Sequence, residues 1–265
     1  MLDIKWRTEV SFHWISSIGD EHCRMTWIID THSHILPGLD DGASDMQESI
    51  RMLRQAGQQG IRGVIATPHY SGRFPNICPD RIRRLCREVQ AQARARLKTE
   101  IQIWPGQEIM YSEDALSLLE EEKLLTIAGT RYVMVEFLPA APYSYIFSAV
   151  RELTLAGYRP VLAHAERYQA LREEGRLEEL KKQGACVQLN FRPAGGKWHQ
   201  GTARWCRKIL RRGLADFLGT DMHNTEGRGP ETERAVRWME KELSSSYIEA
   251  VLKRNAMGLL EGKEI

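Results

Sequence analysis

Residues 28–45, IIDTHSHILPGLDDGASD, run from an apolar stretch into two histidines one residue apart and then into two adjacent aspartates. In a β-strand, alternate residues face the same side, so His32 and His34 can point toward one ion while Ser33 points away. The same letters also suit the polar end of a strand that enters an ordinary turn. Which interpretation holds depends on what the other strands of the chain carry.

From residue 27 onward, short apolar runs alternate with helical patterns, which is typical of βα units and a parallel sheet. A capping-box pattern, Ser44 with Gln47 three residues later, predicts a helix from Ser44 to Gly60. Seven strands are predicted, at 27–31, 63–67, 101–105, 132–137, 160–163, 186–190 and 215–220. Six further helices are predicted, at 80–97, 114–122, 146–157, 177–184, 203–213 and 231–243.

Six of the seven predicted strands have a metal-competent side chain at or just after their C-terminal end. In an open sheet these side chains would be spread along a line, because neighbouring strands lie about 4.8 Å apart. A closed barrel gathers them on the face where barrel enzymes keep their active sites. The pattern therefore predicts a (β/α)7 barrel of the TIM type, with a metal centre at its mouth. The candidate ligands are His32, His34, His69, Glu108, Glu136, His164, Asp221 and His223, with one of the adjacent turn aspartates Asp40 and Asp41, between which spacing alone does not choose.

Taken singly, each candidate has a simpler interpretation: His69 could cap the next helix, and Glu136 could pair with Arg131. These simpler interpretations do not explain the whole set, because five of the six histidines after residue 26 fall at strand ends and only His199 lies elsewhere. Imidazole and carboxylate ligands without thiolate suit Mn, Fe or Zn. Nine ligands are too many for one or two ions, so three divalent ions are expected. With four carboxylates, such a centre keeps a net positive charge of about two and attracts an anion.

Two arginines follow the candidate ligands closely, Arg167 in HAERY and Arg228 in DMHNTEGRGP. The planar guanidinium group suits bidentate binding of phosphate. The alternative for Arg167 is a surface ion pair with Glu166 or Glu173.

Composition limits the classes of partner. The formal charge of +2 is too balanced to indicate a nucleic-acid binder. Five cysteines without a CxxC motif indicate neither a disulfide framework nor a structural zinc site, and they suit a cytoplasmic protein. No apolar run is long enough to insert in a membrane. Residues 1–26 are expected to be an N-terminal extension, and residues 27–265 the catalytic barrel.

With HSH, DDG, TPH, GQE, VEF, HAERY and DMHN in this order, the chain from about Ile28 onward resembles the PHP (polymerase and histidinol phosphatase) superfamily. More narrowly, it is similar to the bacterial manganese-dependent protein tyrosine phosphatases that accompany capsule and exopolysaccharide tyrosine kinases. The resemblance implies a distorted seven-stranded barrel, three divalent ions, Mn before Fe or Zn, and hydrolysis of phosphotyrosine. It also implies a tyrosine-phosphorylated protein as partner, such as the tail of a bacterial tyrosine kinase.

The resemblance further implies how the ligands are shared. His32, His34, Glu108 and Asp221 would hold the first ion; Glu108, Glu136 and His164 the second; and Asp41, His69 and His223 the third. A hydroxide held between two ions would attack phosphorus, Arg167 and Arg228 would bind the phosphate, and His69 could assist the leaving group. Asp40 is expected to be a turn residue rather than a ligand.

Several alternatives remain open from the sequence. A small-molecule phosphomonoesterase related to histidinol phosphatase would share every ligand, and a catalytically degenerate binding module would keep the barrel. A cysteine phosphatase is disfavoured, although C-x5-R occurs twice, in CPDRIRR (78–84) and CRKILRR (206–212). Neither has the glycine-rich loop that would direct backbone N–H groups at phosphate.

Overall fold

The structure is a computed structural model that describes residues 27–74, 77–197 and 199–265. The expected N-terminal extension, residues 1–26, lies outside the described residues. Every strand pair within the described part is parallel. The strands are β1 Ile28–Ser33, β2 Ile61–Ala66, β3 His69–Tyr70, β4 Gln102–Pro105, β5 Glu108–Met110, β6 Tyr132–Glu136, β7 Arg159–Leu162, β8 Cys186–Asn190 and β9 Phe217–Gly219.

Two of the seven predicted strands are each followed, after a break, by a second short strand beyond the predicted end. The strand order is β1-β2-β4 in one sheet and β3-β5-β6-β7-β8-β9 in the other, so β3 continues β2 and β5 continues β4. The first break falls at Pro68, which has no N–H to donate to a ladder. Beyond the breaks, His69 lies directly opposite Glu108 in the register of β3 and β5. Both breaks therefore bring candidate ligands side by side.

Backbone hydrogen bonds join the first strand to the last. His34 N donates to Met222 O at 2.9 Å, and Asp221 N donates to His32 O at 2.8 Å. Deeper in the fold, Thr31 Oγ1 donates to Leu218 O at 3.1 Å. The curled parallel sheet thus forms a distorted TIM-like barrel with seven strand positions, which confirms the predicted fold class.

The seven predicted helices lie close to their predicted positions. The helices of the structure are α1 Met46–Gln58, α2 Pro79–Arg96, α3 Ala115–Glu120, α4 Tyr143–Leu155, α5 Arg176–Lys182, α6 Phe191–Ala194, α7 Gly201–Arg211, α8 Glu233–Glu242, α9 Ser245–Glu249 and α10 Asn255–Leu260. Three short helices among them, α6, α9 and α10, were not predicted. A π-helical turn, Ala250–Arg254, joins the last two, and 3₁₀ turns occur at Ile127–Gly129, Ala165–Arg167 and Gln169–Arg172. In the part of the chain described, none of these helices has the length and apolar character needed to cross a bilayer.

The predicted capping box of α1 was wrong. The helix begins at Met46, and its N-cap is Asp45, whose carboxylate accepts a hydrogen bond from Glu48 N at 2.8 Å. Ser44 instead donates its backbone N–H and its hydroxyl to the Glu48 carboxylate, at 2.9 and 2.6 Å. An ionised aspartate is a stronger acceptor than a hydroxyl, so the cap forms one residue later than predicted.

Alternate strand residues pack into two separate layers. Ile29, Ile65, Met134 and Phe217 belong to one buried cluster, which also includes residues of α10. Their strand neighbours, such as Ile28, Val64, Val133 and Leu218, pack with the helices of the outer layer. Because side chains alternate across a strand, the first set fills the barrel and the second lies under the helices. The barrel is therefore a packed support for the side chains at its C-terminal rim.

Candidate metal centre

All nine predicted ligands meet at the C-terminal rim of the barrel. Within the described residues, four overlapping groups could each hold an ion, with ligand atoms that lie within 4.8 Å of one another. The groups are His34, Asp41, His69, His223; His32, His34, Asp221; His32, Glu108, His164; and His69, Glu108, Glu136. Together they contain each of the nine predicted side chains.

Glu108 lies at the middle of this arrangement and is fully buried. Its Oε2 atom lies 3.3 Å from His32 Nε2, 3.3 Å from His34 Nε2 and 2.9 Å from His69 Nδ1. Its Oε1 atom lies 2.8 Å from His164 Nε2. The Glu108 carboxylate is thus close to four imidazoles, which is the position expected of a ligand that is shared between ions.

The other carboxylates extend the cluster on either side. Asp221 Oδ1 lies 3.5 Å from both His34 Nε2 and His223 Nδ1. Asp41 Oδ1 lies 3.5 Å from His69 Nε2 and 3.5 Å from His223 Nε2. Glu136 Oε1 lies 3.2 Å from His164 Nε2, so Glu136 is part of the cluster. Arg131, its alternative partner in the sequence, pairs with Glu264 instead.

Two of the candidate ligands have strained backbone conformations. His164 has φ of +32° and Asp221 has φ of +53°, in the left-handed region that residues other than glycine rarely occupy. Such strain persists where the surrounding structure imposes it, and it concentrates at functional sites. Here it turns both side chains toward the cluster just past the ends of β7 and β9.

Asp40 lies in the turn, as expected, and it also holds a ligand in place. Its Oδ2 atom lies 2.7 Å from His34 Nδ1 and accepts a hydrogen bond from His69 N at 2.9 Å. Burial opposes the charged form of His34, but the Asp40 and Glu108 carboxylates together outweigh it and raise the pKa of His34 well above its ordinary value. Contacts of this kind fix the orientation of metal-binding imidazoles.

Strand β8 corresponds to the one predicted strand, of seven, that offered no candidate ligand, but two of its side chains, which the sequence analysis missed, support the site. Gln188 Oε1 lies 3.1 Å from His32 Nδ1 and accepts a hydrogen bond from His164 N at 2.6 Å. Asn190 Nδ2 donates to Asp221 Oδ2 at 3.1 Å. The available signal was the spacing in CVQLN, where two amides two residues apart end a strand and therefore share a face.

Asp30 is a second buried residue that the sequence analysis did not identify. It accepts hydrogen bonds from Thr220 N at 2.7 Å, from Thr220 Oγ1 at 2.6 Å and from His32 N at 3.3 Å. Burial raises the pKa of Asp30 to about 6. Asp30 therefore ties the strand that carries His32 to the segment that carries Asp221.

The chemistry of these donors fits divalent metal ions. Glu108 Oε2 and His223 Nε2 are buried and have no hydrogen-bond partner among the described residues. Burial, and then the neighbouring His34, lower the pKa of His223 to about 2, so its imidazole stays neutral. In addition, His32 Nε2 and His34 Nε2 converge to 3.2 Å. Imidazole nitrogens and carboxylate oxygens that converge in a buried space, two of them without a hydrogen-bond partner in the described part of the chain, form the kind of donor set that a divalent metal ion requires.

The two arginines contact Asp221 of the cluster, and Glu166, one alternative partner of Arg167 in the sequence, is buried rather than at the surface. Arg167 forms an ion pair with Asp221, and Arg228 Nη2 lies 3.1 Å from both oxygens of the same carboxylate. Glu173, the alternative partner of Arg167 in the sequence, pairs with Arg176. Both arginines line a cavity of about 430 Å³ that also contacts Asp221. This cavity is the place where an anion would meet the centre.

The two C-x5-R sequences do not form phosphate-binding loops. Cys78 is the N-cap of α2, whose helix already includes Arg84. Cys206 lies inside α7 and is buried, and burial raises the pKa of its thiol above the ordinary range. A reactive cysteine needs a stabilised thiolate in an accessible position, and Cys206 offers neither condition.

Comparison with known proteins places this arrangement among proteins of capsule synthesis. The tyrosine-protein phosphatase YwqE of Bacillus subtilis is 34% identical over 242 residues, which cover 90% of this chain and 93% of that protein. The tyrosine-protein phosphatase CpsB of Streptococcus pneumoniae is 31% identical over 214 residues, covering 78% of this chain and 88% of that protein.

Solved structures agree on the architecture. A crystal structure from a study of YwqE and CpsB, described as unique metal-dependent tyrosine phosphatases, superposes with a TM-score of 0.83 at 32% identity, covering 90% of this chain and 96% of that one. The phosphotriesterase homology protein of Escherichia coli, at 13% identity, a TM-score of 0.56 and coverage of 88% and 98%, shares the fold alone. The family model described as "Capsular polysaccharide synthesis, CpsB/CapC" matches residues 28–261, and the chain therefore belongs to the CpsB/CapC family.

Proposed function

We propose that this protein is a metal-dependent phosphatase that hydrolyses phosphotyrosine in proteins. The observation that carries the proposal is the position of Asp221, which lies within the candidate metal cluster and pairs with both Arg167 and Arg228. A metal site and a phosphate-binding site therefore share one carboxylate. The relatives at 31% and 34% identity, both named tyrosine-protein phosphatases, support the same activity.

We assign three divalent ions to the cluster, with Mn as the first choice of metal and Fe or Zn as the alternatives. His32, His34, Glu108 and Asp221 hold the first ion, Glu108, Glu136 and His164 the second, and Asp41, His69 and His223 the third. The groups of convergent ligand atoms support the first and third sets, and the second is supported by His164 Nε2, which lies 2.8 Å from Glu108 Oε1 and 3.2 Å from Glu136 Oε1. Oxygen and imidazole ligands without thiolate suit these metals.

Divalent ions bound here supply a nucleophile from water at neutral pH and neutralise charge on phosphoryl oxygens. Arg167 and Arg228 bind the remaining phosphoryl oxygens, because their side chains are about two-fifths exposed toward the cavity that they line. His69, whose side chain is 18% exposed, is the most accessible of the five imidazoles in the cluster and is therefore the one that can assist the leaving group. A phenolate leaves readily, so weak proton donation is sufficient.

The substrate is a tyrosine-phosphorylated protein segment, such as the tail of a bacterial tyrosine kinase that regulates capsule or exopolysaccharide synthesis. The description of the CpsB/CapC family, which names capsular polysaccharide synthesis, supports the biological process in this assignment. A phosphotyrosine in a mobile tail can reach the barrel mouth, where the arginines and the candidate ligands meet.

The test combines metal analysis with hydrolysis of a phosphotyrosine peptide, with and without a chelator, beside histidinol phosphate as a small substrate. The expected result is bound metal, turnover of the peptide that the chelator abolishes, and at least tenfold lower kcat/KM for histidinol phosphate. Preference for histidinol phosphate would assign a small-molecule phosphomonoesterase. Absence of both metal and turnover would assign a binding module.

A further inference from the structure

The cavity beside the candidate metal centre has more positive charge than one phosphoryl group needs. Its lining includes Arg167 and Arg228, which contact Asp221, and two further arginines, Arg172 and Arg192. The acidic residues in the same lining are Glu166 and Asp221. Four arginines against two carboxylates leave a formal charge of +2 before any metal ion is counted.

Arg192, which extends from α6, is held mainly by backbone carbonyls. Its guanidinium donates to Gly227 O at 2.5 Å and to Gly229 O at 3.5 Å. The same group lies 3.2 Å from the exposed carboxylate of Glu231. The carbonyls orient the guanidinium without cancelling its charge, the solvent-exposed Glu231 carboxylate offsets that charge only in part, and the side chain of Arg192 remains 41% exposed. Arg192 therefore offers a fixed cation at the cavity.

The guanidinium of Arg172, the other additional arginine of the cavity, is also oriented by its neighbours. It donates a hydrogen bond to the backbone carbonyl of Glu166, and its guanidinium lies 4.6 Å from the ring centroid of Trp205. Stacking on an aromatic face restricts an arginine but leaves N–H donors at its edge free to bind. The ordering cost of both side chains is thus met before a ligand arrives.

The size of the cavity agrees with a ligand larger than phosphate. A volume of about 430 Å³ corresponds to roughly 14 water molecules at about 30 Å³ each. A phosphate group, with one phosphorus and four oxygen atoms, has five heavy atoms and fills only part of this space. The first turn of α7 also contributes Thr202 to the lining, and helix N-termini favour negative charge.

We infer that Arg172 and Arg192 form a second anion subsite, which binds an acidic or phosphorylated side chain close in sequence to the phosphotyrosine being hydrolysed. The inference rests on the proposed function, since it concerns the same substrate peptide. Carboxylate and phosphate share the oxyanion chemistry that a guanidinium recognises, so separate substrates must distinguish them.

The experiment measures kcat/KM of the Mn-loaded protein on a set of phosphotyrosine peptides. The peptides carry Gln, Glu or a second phosphotyrosine at each position from three before to three after the central phosphotyrosine. At one or two positions, Glu is expected to raise kcat/KM about tenfold over Gln, chiefly through KM, and less so at high ionic strength. A larger effect of the second phosphotyrosine than of Glu would identify phosphate as the preferred anion.

The Glu-to-Gln ratio is then measured in Arg172→Gln and Arg192→Gln, with Arg237→Gln, an exposed arginine paired with Glu233 on α8, as the matched control. Both cavity variants are expected to bring the ratio close to one, and the control to keep it. Because the ratio compares two peptides on the same protein, partial unfolding lowers both rates and leaves it unchanged. Equal rates on Glu and Gln peptides at every position, or a ratio unaffected in both cavity variants, would overturn the subsite. Lack of turnover on every peptide would overturn the proposed function itself.

Discussion

Asp40 Oδ2 lies 2.7 Å from His34 Nδ1, while its neighbour Asp41 has its carboxylate 3.5 Å from His69 and His223. The two adjacent aspartates of the DDG motif therefore have different tasks. Asp40 orients an imidazole from behind, and Asp41 faces the cluster itself.

Asp40→Asn is expected to weaken metal binding by roughly 10- to 100-fold, because His34 loses the carboxylate that orients it and increases its basicity. Competition with a chelator measures the affinity. Asp45→Asn is the matched control: it alters the N-cap of α1 and is expected to leave metal affinity unchanged. Unchanged affinity in Asp40→Asn would show that the contact with His34 is not needed for the centre.

Gly42→Ala is expected to disturb the same turn by steric contact. A Cβ atom at Gly42 would lie 2.2 Å from His34 O and 2.5 Å from His34 Cβ, which are distances that atoms cannot share. We expect a loss of about 1–3 kcal/mol in the free energy of unfolding, together with weaker metal binding. Thermal unfolding and metal titration measure the two effects. Gly72→Ala, where nothing lies within 4 Å of the added Cβ, should be neutral; equal behaviour of the two variants would contradict the prediction.

Arg228→Ala is expected to lower kcat/KM for a phosphotyrosine peptide by roughly 100-fold, because a donor to the phosphoryl oxygens is lost. Metal content should stay unchanged, since Asp221 keeps Arg167 as its partner. Steady-state kinetics and elemental analysis on the same sample measure both quantities. If metal is lost with the arginine, Arg228 supports the centre rather than the substrate.

Removal of metal is expected to abolish phosphatase activity, and addition of Mn to restore it. Cys78→Ser and Cys206→Ala should retain most of the activity, because Cys78 begins a helix and Cys206 is buried within one. Initial rates of each variant before and after dialysis against a chelator show whether the activity depends on metal or on a cysteine. Activity that survives chelation but disappears with either cysteine would assign a thiol mechanism.

Metal binding is also expected to stabilise the fold, because an ion that binds only the native state at about 100 times its dissociation constant adds about 2.7 kcal/mol to the free energy of unfolding. The Tm should therefore rise with added Mn. The rise should shrink in His164→Ala, which removes a buried member of the cluster, and persist in His199→Ala, whose histidine lies away from the strand ends. An equal rise in both variants would exclude His164 as a ligand.

The pattern of the chain was sufficient to predict the barrel and eight of the nine polar side chains at its rim, whereas the choice of Asp41 over Asp40 came from the family resemblance. Strand and helix periodicities are local properties, and a polar residue that ends each strand of a parallel barrel must reach the common rim. His32, Glu108 and His164 could therefore be predicted to meet, although 56 or more residues separate each from the next.

Only the tertiary structure revealed which groups support them. Some of these contacts join segments that are distant in sequence: His69 lies beside Glu108, and both arginines pair with Asp221. Others depend on the direction in which a side chain points, as for Asp40 toward His34 and for the amides of Gln188 and Asn190. The α1 cap shows the same limit over one residue, since Ser44 and Asp45 both suit an N-cap by type. Residue type and spacing determine which side chains can reach a site, whereas their hydrogen-bond partners are selected by three-dimensional packing.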